Sequence, residues 1–373
     1  MNAISSIQKE LNSYFIERSE EIDCILTAVL SKQHCLFLGP PGTTKSYLIT
    51  AFASHLKDVN YFQWLLTKFT TPEEVFGPYN LKLLMDGKYQ RITTGKLPEA
   101  HIAFLDEIFK SSSAILNSLL TIINERIFYN DSIPAPVPLI SLFSASNELP
   151  EEDEGLQALY DRLTIRKTVS YIKDYSNLEK LALLPAEYKP ETMLSLSDLQ
   201  QIQQEVQQVD VSSVISDVIE LKRELEKEGV SVSDRRFRQC FDIIKAYTYM
   251  NNRDKAISDD LQILRYVFWT EPEEIAVVES KVLSIANPFA QKAQEFAEIL
   301  EDIERQVQTF TELSQDVIEV YNKIVKIVKH IHDLIRAAET SNKSTRELEQ
   351  VLQKAEAIKD GLARDILQLS PSE

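Results

Sequence analysis

Read as alternating apolar and polar positions, the first half of the chain falls into short apolar runs separated by helical patterns. Cys35 to Leu38, Tyr61 to Leu66, Ile102 to Leu105 and Leu139 to Phe143 are the strand candidates. The Ile102 and Leu139 runs are almost wholly apolar, as expected of strands covered on both faces. Their alternation with helices predicts a parallel sheet with crossover connections up to about Ser170. Between Phe76 and Ala100 the pattern breaks into turn-rich pieces, and Asp86-Gly87, flanked by Leu81 to Leu84 and Tyr89 to Thr93, predicts a β-hairpin inserted into this core.

After about Ser176 no strand pattern remains, and helical periodicity runs through Leu199 to Leu225, Phe237 to Met250 and Leu261 to Phe268. From about Pro288, Phe296, Leu300, Ile303, Val307, Phe310, Leu313, Val317, Tyr321, Ile324, Val328, Ile331 and Ile335 recur at three- and four-residue steps. That spacing predicts one long amphipathic helix. A second helix carrying Leu348, Val351, Leu352, Ile358, Leu362 and Ile366 completes an antiparallel hairpin. The expected architecture is an α/β core over 1–176 with its insertion at about 76–100, an all-α lid over 177–285, and a C-terminal long helical hairpin over 286–373.

The loop after the first strand carries the chemistry. Gly39, Pro40, Pro41, Gly42, Thr43, Thr44, Lys45 and Ser46 join a strand to a helix that continues through Tyr47. Such a loop turns its backbone N–H groups inward and presents a helix N-terminus to phosphates. Lys45 would reach the terminal phosphates and Ser46 would ligate magnesium. The strict pattern has glycine before the lysine, whereas this chain has Thr44, so either the backbone there is ordinary or the loop is strained.

Further along, the strand from Ile102 delivers Asp106 and Glu107 at its C-terminal end, where ligands of α/β proteins bind. Asp106 would hold hydrated magnesium with Ser46, and Glu107 would polarise the attacking water. The alternative is that the pair caps the following helix. A third strand ends at Asn147, placed to touch the γ-phosphate and the water. Its alternative is a turn asparagine ahead of Pro150.

Composition narrows the classes. The chain has 373 residues, 44% hydrophobic and 26% charged, enough for two or three cored domains. Its formal charge of -17 repels nucleic acid and anionic membrane and disfavours a DNA translocase. Cys24, Cys35 and Cys240 form no CxxC pair and fit free thiols of a reducing, cytoplasmic compartment. No apolar stretch reaches the length of a membrane span, and no signal peptide is evident.

Together with Leu156 to Arg162 and Val232 to Arg236, these motifs resemble the MoxR branch of the AAA+ ATPases. The wording of Thr71 to Pro78 and of Ser146 to Glu151 is similar to the RavA-type subfamily, and the resemblance runs from about residue 5 to about 285. It implies ATP or ADP with Mg2+ bound between subunits of a homo-oligomeric, hexameric ring. Arg162 resembles the arginine finger and Arg235 the second sensor, with Arg236 as its alternative. The insertion resembles one that points toward the ring's channel. The implied activity is ATP hydrolysis that remodels or assembles a protein partner bearing a von Willebrand factor A domain. The resemblance departs at Thr44 and again at Thr340 to Ser344, too short for the small domain that interrupts RavA-type bundles. A nucleotide-binding assembly protein with little turnover is the competing expectation.

Overall fold

The computed structural model describes residues 3–150, 154–307, 315–341 and 343–365. Glu151, Phe310, Leu313 and Ile366 lie outside them. The chain divides into two compact units. The first comprises Met1–Ser213, Ser233–Ala256 and Tyr266–Phe268; the second comprises Val214–Val232, Ile257–Arg265 and Trp269–Glu373.

A five-stranded parallel sheet centres the first unit: β1 (Cys35–Leu38), β2 (Tyr61–Leu65), β3 (Ile102–Asp106), β4 (Ser141–Ser146) and β5 (Ile165–Thr168), in the order β2-β3-β4-β1-β5. β1 and β4 are buried along their whole length, as central strands covered by crossover helices must be. The apolar runs thus predict four of the strands. β5 escapes that reading because it reads Ile-Arg-Lys-Thr, with Arg166 fully buried inside the fold. Helices Ser19–Ser31, Lys45–Ser54, Ser113–Glu125 and Glu154–Arg162 contribute to this core, as do Ala3–Tyr14, Leu196–Gln207 and Asp234–Met250.

The insertion differs from the expected hairpin. The chain does reverse at Asp86-Gly87, and Tyr79 pairs with Arg91 as an isolated antiparallel bridge. Its first arm, however, is the short helix Leu81–Met85, because the Asn80 side chain accepts the Lys82 and Leu83 N–H groups and so caps it. Gly77 is obligatory where the insertion leaves the core: its φ is +96°, and a Cβ there would lie 1.8 Å from the Ile92 carbonyl oxygen. A true β-hairpin lies elsewhere, Ile127–Asn130 against Ile133–Pro136, closed by Asp131 and Ser132 with φ of 56° and 66°. The Asn130 side chain ties this ribbon to the insertion by bonds to the N–H and C=O of Arg91, at 2.7 and 3.1 Å.

The second unit is helical among its described residues. The periodic run from Pro288 is built as two helices, Pro288–Val307 and Gln315–Thr340. They pack on each other, with Phe296 against His330 at 5.3 Å between rings. The helix Arg346–Asp365 then completes a hairpin with the second and lies against both. Leu300, Ile303, Val317, Ile324, Ile331 and Leu362 are buried between them, so one shared seam explains both periodic stretches. At its start Asn287 accepts the Phe289 and Ala290 N–H groups and donates to Ser344 O at 3.0 Å. The architecture is an α/β parallel-sheet core followed by helices, with one departure from the expected strand-free second half: Leu194–Ser195 pairs in parallel with Leu56–Lys57 as a two-residue strand, too short to show in the apolar pattern.

Candidate nucleotide site

The phosphate loop leaves β1 through Gly39, where a Cβ would sit 2.1 Å from the Val169 carbonyl oxygen, so only glycine fits beside β5. Thr44 has φ 63° and ψ 13°. Of the two conformations open to it, the strained one is present, at a cost of about 1–2 kcal/mol for a residue with a branched Cβ. Lys45 starts the helix Lys45–Ser54 and curls back, donating to Gly39 O and Pro40 O at 2.7 Å each and to Thr43 Oγ1 at 3.1 Å. Burial lowers its pKa, while Asp106 and Glu107 pull the other way.

Ser46 Oγ meets Asp106 Oδ2 at 3.3 Å, and Asp106 Oδ1 accepts the Glu107 N–H at 3.0 Å. Glu107 itself is left-handed, with φ 54°. Its Oε1 accepts from Asn147 Nδ2 at 2.7 Å, and its Oε2 pairs with Lys110 Nζ at 3.1 Å. β1, β3 and β4 thus deliver Lys45, Ser46, Asp106, Glu107 and Asn147 to one place at the carboxyl edge of the sheet. The capping alternative fails for Glu107, whose side chain makes no cap bond to the following helical turn. Asn147 lies in the bend after β4, as the turn alternative has it, and its side chain also donates to Glu107 across the strand ends.

Tyr47 turns into an aromatic group with Tyr14, Phe15 and Tyr188, its hydroxyl accepting the Tyr188 N–H at 2.7 Å. Tyr171 donates to Pro41 O at 3.1 Å from the other side of the loop.

The arginines form a second centre. Arg162 ends the helix Glu154–Arg162 and donates to Ala158 O at 2.6 Å. Burial, then the charge of Arg235, lowers its pKa. Arg235 and Arg236 share Asp161, at 3.5 and 3.3 Å. Arg236 is buried, whereas Arg235 opens with Arg162 into a cavity of about 220 Å³. Below them Arg166 is fully enclosed: it donates to Leu163 O and Tyr160 O at 3.0 and 2.8 Å, with its guanidinium 3.7 Å from the Tyr160 ring centroid. Burial first, then Arg236, pushes it down to about 9.

Sequence reasoning passes over Lys110, Arg126 and Arg166. The spacing of Lys110 three residues after Glu107 was a usable signal. Nothing in the pattern distinguishes Arg126 or Arg166 from surface cations.

A strand-loop-helix phosphate cradle, with acidic and amide groups on adjacent strand ends, defines a P-loop nucleotide-binding protein of AAA+ type. Comparison with known proteins carries this further. Residues 2–211 match the family described as the MoxR domain in the MoxR-vWA-beta-propeller ternary systems, and residues 213–282 match an AAA lid domain. The chain belongs to the MoxR family of AAA+ ATPases.

Two uncharacterised proteins of Methanocaldococcus jannaschii are similar to it almost throughout. One is 45% identical over 368 residues, spanning 95% of this chain and 97% of its own length. The other is 44% identical over 334 residues, spanning 88% and 86%. A structural protein of Acidianus two-tailed virus is 28% identical over 214 residues, 54% of this chain and 34% of the viral one. The crystal structure of a proposed ATPase from Cytophaga hutchinsonii superposes with a TM-score of 0.61 at 20% identity, covering 77% of this chain and 94% of that one. That likeness speaks for the fold alone.

Proposed function

We propose that the protein is a RavA-type MoxR ATPase that hydrolyses ATP at the joints of a homo-oligomeric, hexameric ring and thereby remodels or assembles a protein partner. The observation that carries this reading is the linked set Lys45, Ser46, Asp106, Glu107 and Asn147 on three adjacent strand ends. Lys45 exchanges the loop carbonyls for the β- and γ-phosphates. Ser46 and Asp106, hard oxygen donors 3.3 Å apart, suit magnesium that keeps part of its water shell. Magnesium, when bound, neutralises charge on the phosphates. Glu107 takes a proton from water as its oxygen attacks the γ-phosphorus, the bond to the bridging oxygen breaks, and ADP and phosphate leave. Asn147 holds the Glu107 carboxylate in place.

Arg162 and Arg235 share a cavity to which the phosphate loop contributes nothing among the described residues. Both are therefore assigned to the nucleotide of the next subunit, Arg162 as finger and Arg235 as sensor. The family's description supports a partner with a von Willebrand factor A domain. The cytoplasm is the proposed compartment. Cys24, Cys35 and Cys240 are buried free thiols, and among the described residues no helix is long and apolar enough to cross a membrane.

Two features favour a second reading, in which nucleotide is bound with little turnover. Both Glu107 oxygens are already engaged, by Asn147 and Lys110, and Thr44 is strained. Turnover of wild type beside Glu107→Gln and Arg162→Ala decides: both variants should fall far below wild type. Equal rates in all three would refute hydrolysis at this site, and tight ATP binding without turnover by the assembled wild type would establish the second reading.

A further inference from the structure

The cavity holding Arg162 and Arg235 is also lined by Lys32 and Arg126, and no Asp or Glu is among the described residues around it. Four cations converging on one space repel one another and draw anions strongly. This happens in a chain whose formal charge is -17. The arrangement is therefore local and selective.

Arg126 is the fixed member. It follows the helix Ser113–Glu125 in a left-handed conformation and donates to the carbonyls of Ile123, Lys32 and Ile140 at 2.6, 3.1 and 3.2 Å. Each of these acceptors is neutral, so the guanidinium is held rigidly while its charge stays uncompensated. Burial pushes its pKa down to about 10.

His34, which also lines the cavity, adds no charge. Its Nδ1 accepts the Leu142 N–H at 2.9 Å, and burial, then Arg126, keep its pKa well below the ordinary value. Among the described residues, Arg162 Nε is buried without a hydrogen-bond partner. Asp161, the acid beside Arg235, is divided between that residue and Arg236.

The geometry points to a polyphosphate-binding basin in which Lys32 and Arg126 join Arg162 and Arg235, its ligand being the triphosphate tail of a nucleotide seated in the phosphate loop of a neighbouring copy of this chain. This rests on the ring-joint reading above and extends it. Arg126 provides a preorganised positive pole that moves with the α/β core, and Lys32, exposed and flexible, closes over the outer phosphates. A row of linked phosphates gathers several negative charges in a short span, which the cations lining one cavity can meet together. The finger is then one of four cations acting together.

Mixed assemblies provide the test. Lys45→Ala and Arg162→Ala subunits, each inactive alone, should regain turnover when mixed, because an intact loop then meets an intact basin. Failure of that pair would remove the ring-joint reading itself. Given its success, Lys32→Glu should lower turnover about tenfold and Arg126→Gln about a hundredfold, and both should be restored by Lys45→Ala partners. Arg126→Lys separates charge from scaffolding, since it keeps the cation and loses the fork. It should retain most of the activity. Full activity of Lys32→Glu and Arg126→Gln, or a loss that Lys45→Ala partners fail to restore, would overturn the basin. Arg126→Lys as impaired as Arg126→Gln, beside an unaffected Lys32→Glu, would make Arg126 a structural clamp and overturn it as well.

Discussion

The phosphate-loop centre and the cationic basin belong to the same unit and treat charge in opposite ways. In the first, polar groups answer one another within the chain: Lys45 rests on loop carbonyls, Ser46 on Asp106, and Glu107 on Asn147 and Lys110. In the second, Arg126 and Arg162 donate to carbonyls, while the nearby Asp161 is drawn to Arg235 and Arg236. Like charges gathered around one cavity raise its positive potential, so a centre built this way favours an anion supplied from outside. The first centre is assembled within the chain, and on the proposed reading the second is completed by a neighbouring subunit.

Substitutions that break this contrast should act in graded fashion. Arg162→Ala should lower turnover about 10³-fold or more while leaving ATP affinity of the separated subunit unchanged, because a finger acts on the neighbour's transition state. Phosphate-release assays beside nucleotide titrations check this. Glu107→Gln should lower turnover about 10³-fold and retain bound ATP, as loss of a positioned base predicts. Single-turnover measurements distinguish this from a binding defect. Lys110→Ala frees one oxygen of Glu107 and should raise basal turnover about threefold, the scale of an exposed ion pair. An unchanged or reduced rate would show that this pair does not restrain the base.

The smallest effect concerns the loop's own strain. Thr44→Gly should stabilise the protein by about 1 kcal/mol, since glycine accepts the left-handed conformation, partly offset by its greater freedom when unfolded. Thermal melts with and without nucleotide measure it. A destabilised variant would mean that the Thr44 hydroxyl, which donates to Thr43 O at 2.7 Å, outweighs the relieved strain.

Legibility in the sequence followed the same division. The first centre is built from residues adjacent in the chain or placed at ends of apolar runs, so Lys45, Ser46, Asp106, Glu107 and Asn147 could be found by pattern. The basin draws on the end of one helix for Lys32, the end of another for Arg126 and the start of a third for Arg235. No local spacing relates these positions. The helical arm Leu81–Met85 was missed because Asp86-Gly87 signals a reversal without specifying what precedes it, and Asn80 decides that by capping. β5 was missed because strand patterns assume apolar interiors. Arg166 enters this interior by pairing with carbonyls and an aromatic face.

The enclosure of Arg166 has a mechanical consequence. By gripping Leu163 O and Tyr160 O it bolts the end of the helix that bears Arg162 to β5. β5 in turn is laddered to β1 from Cys35 opposite Ile165 to Leu38 opposite Thr168, and β1 runs directly into Gly39. Arg162, the proposed reader of a neighbour's nucleotide, and the phosphate loop are thus mounted on adjacent strands of one sheet. On the proposed ring-joint reading, a tug on either should tilt both, and hydrolysis in one subunit should bias the site of the next.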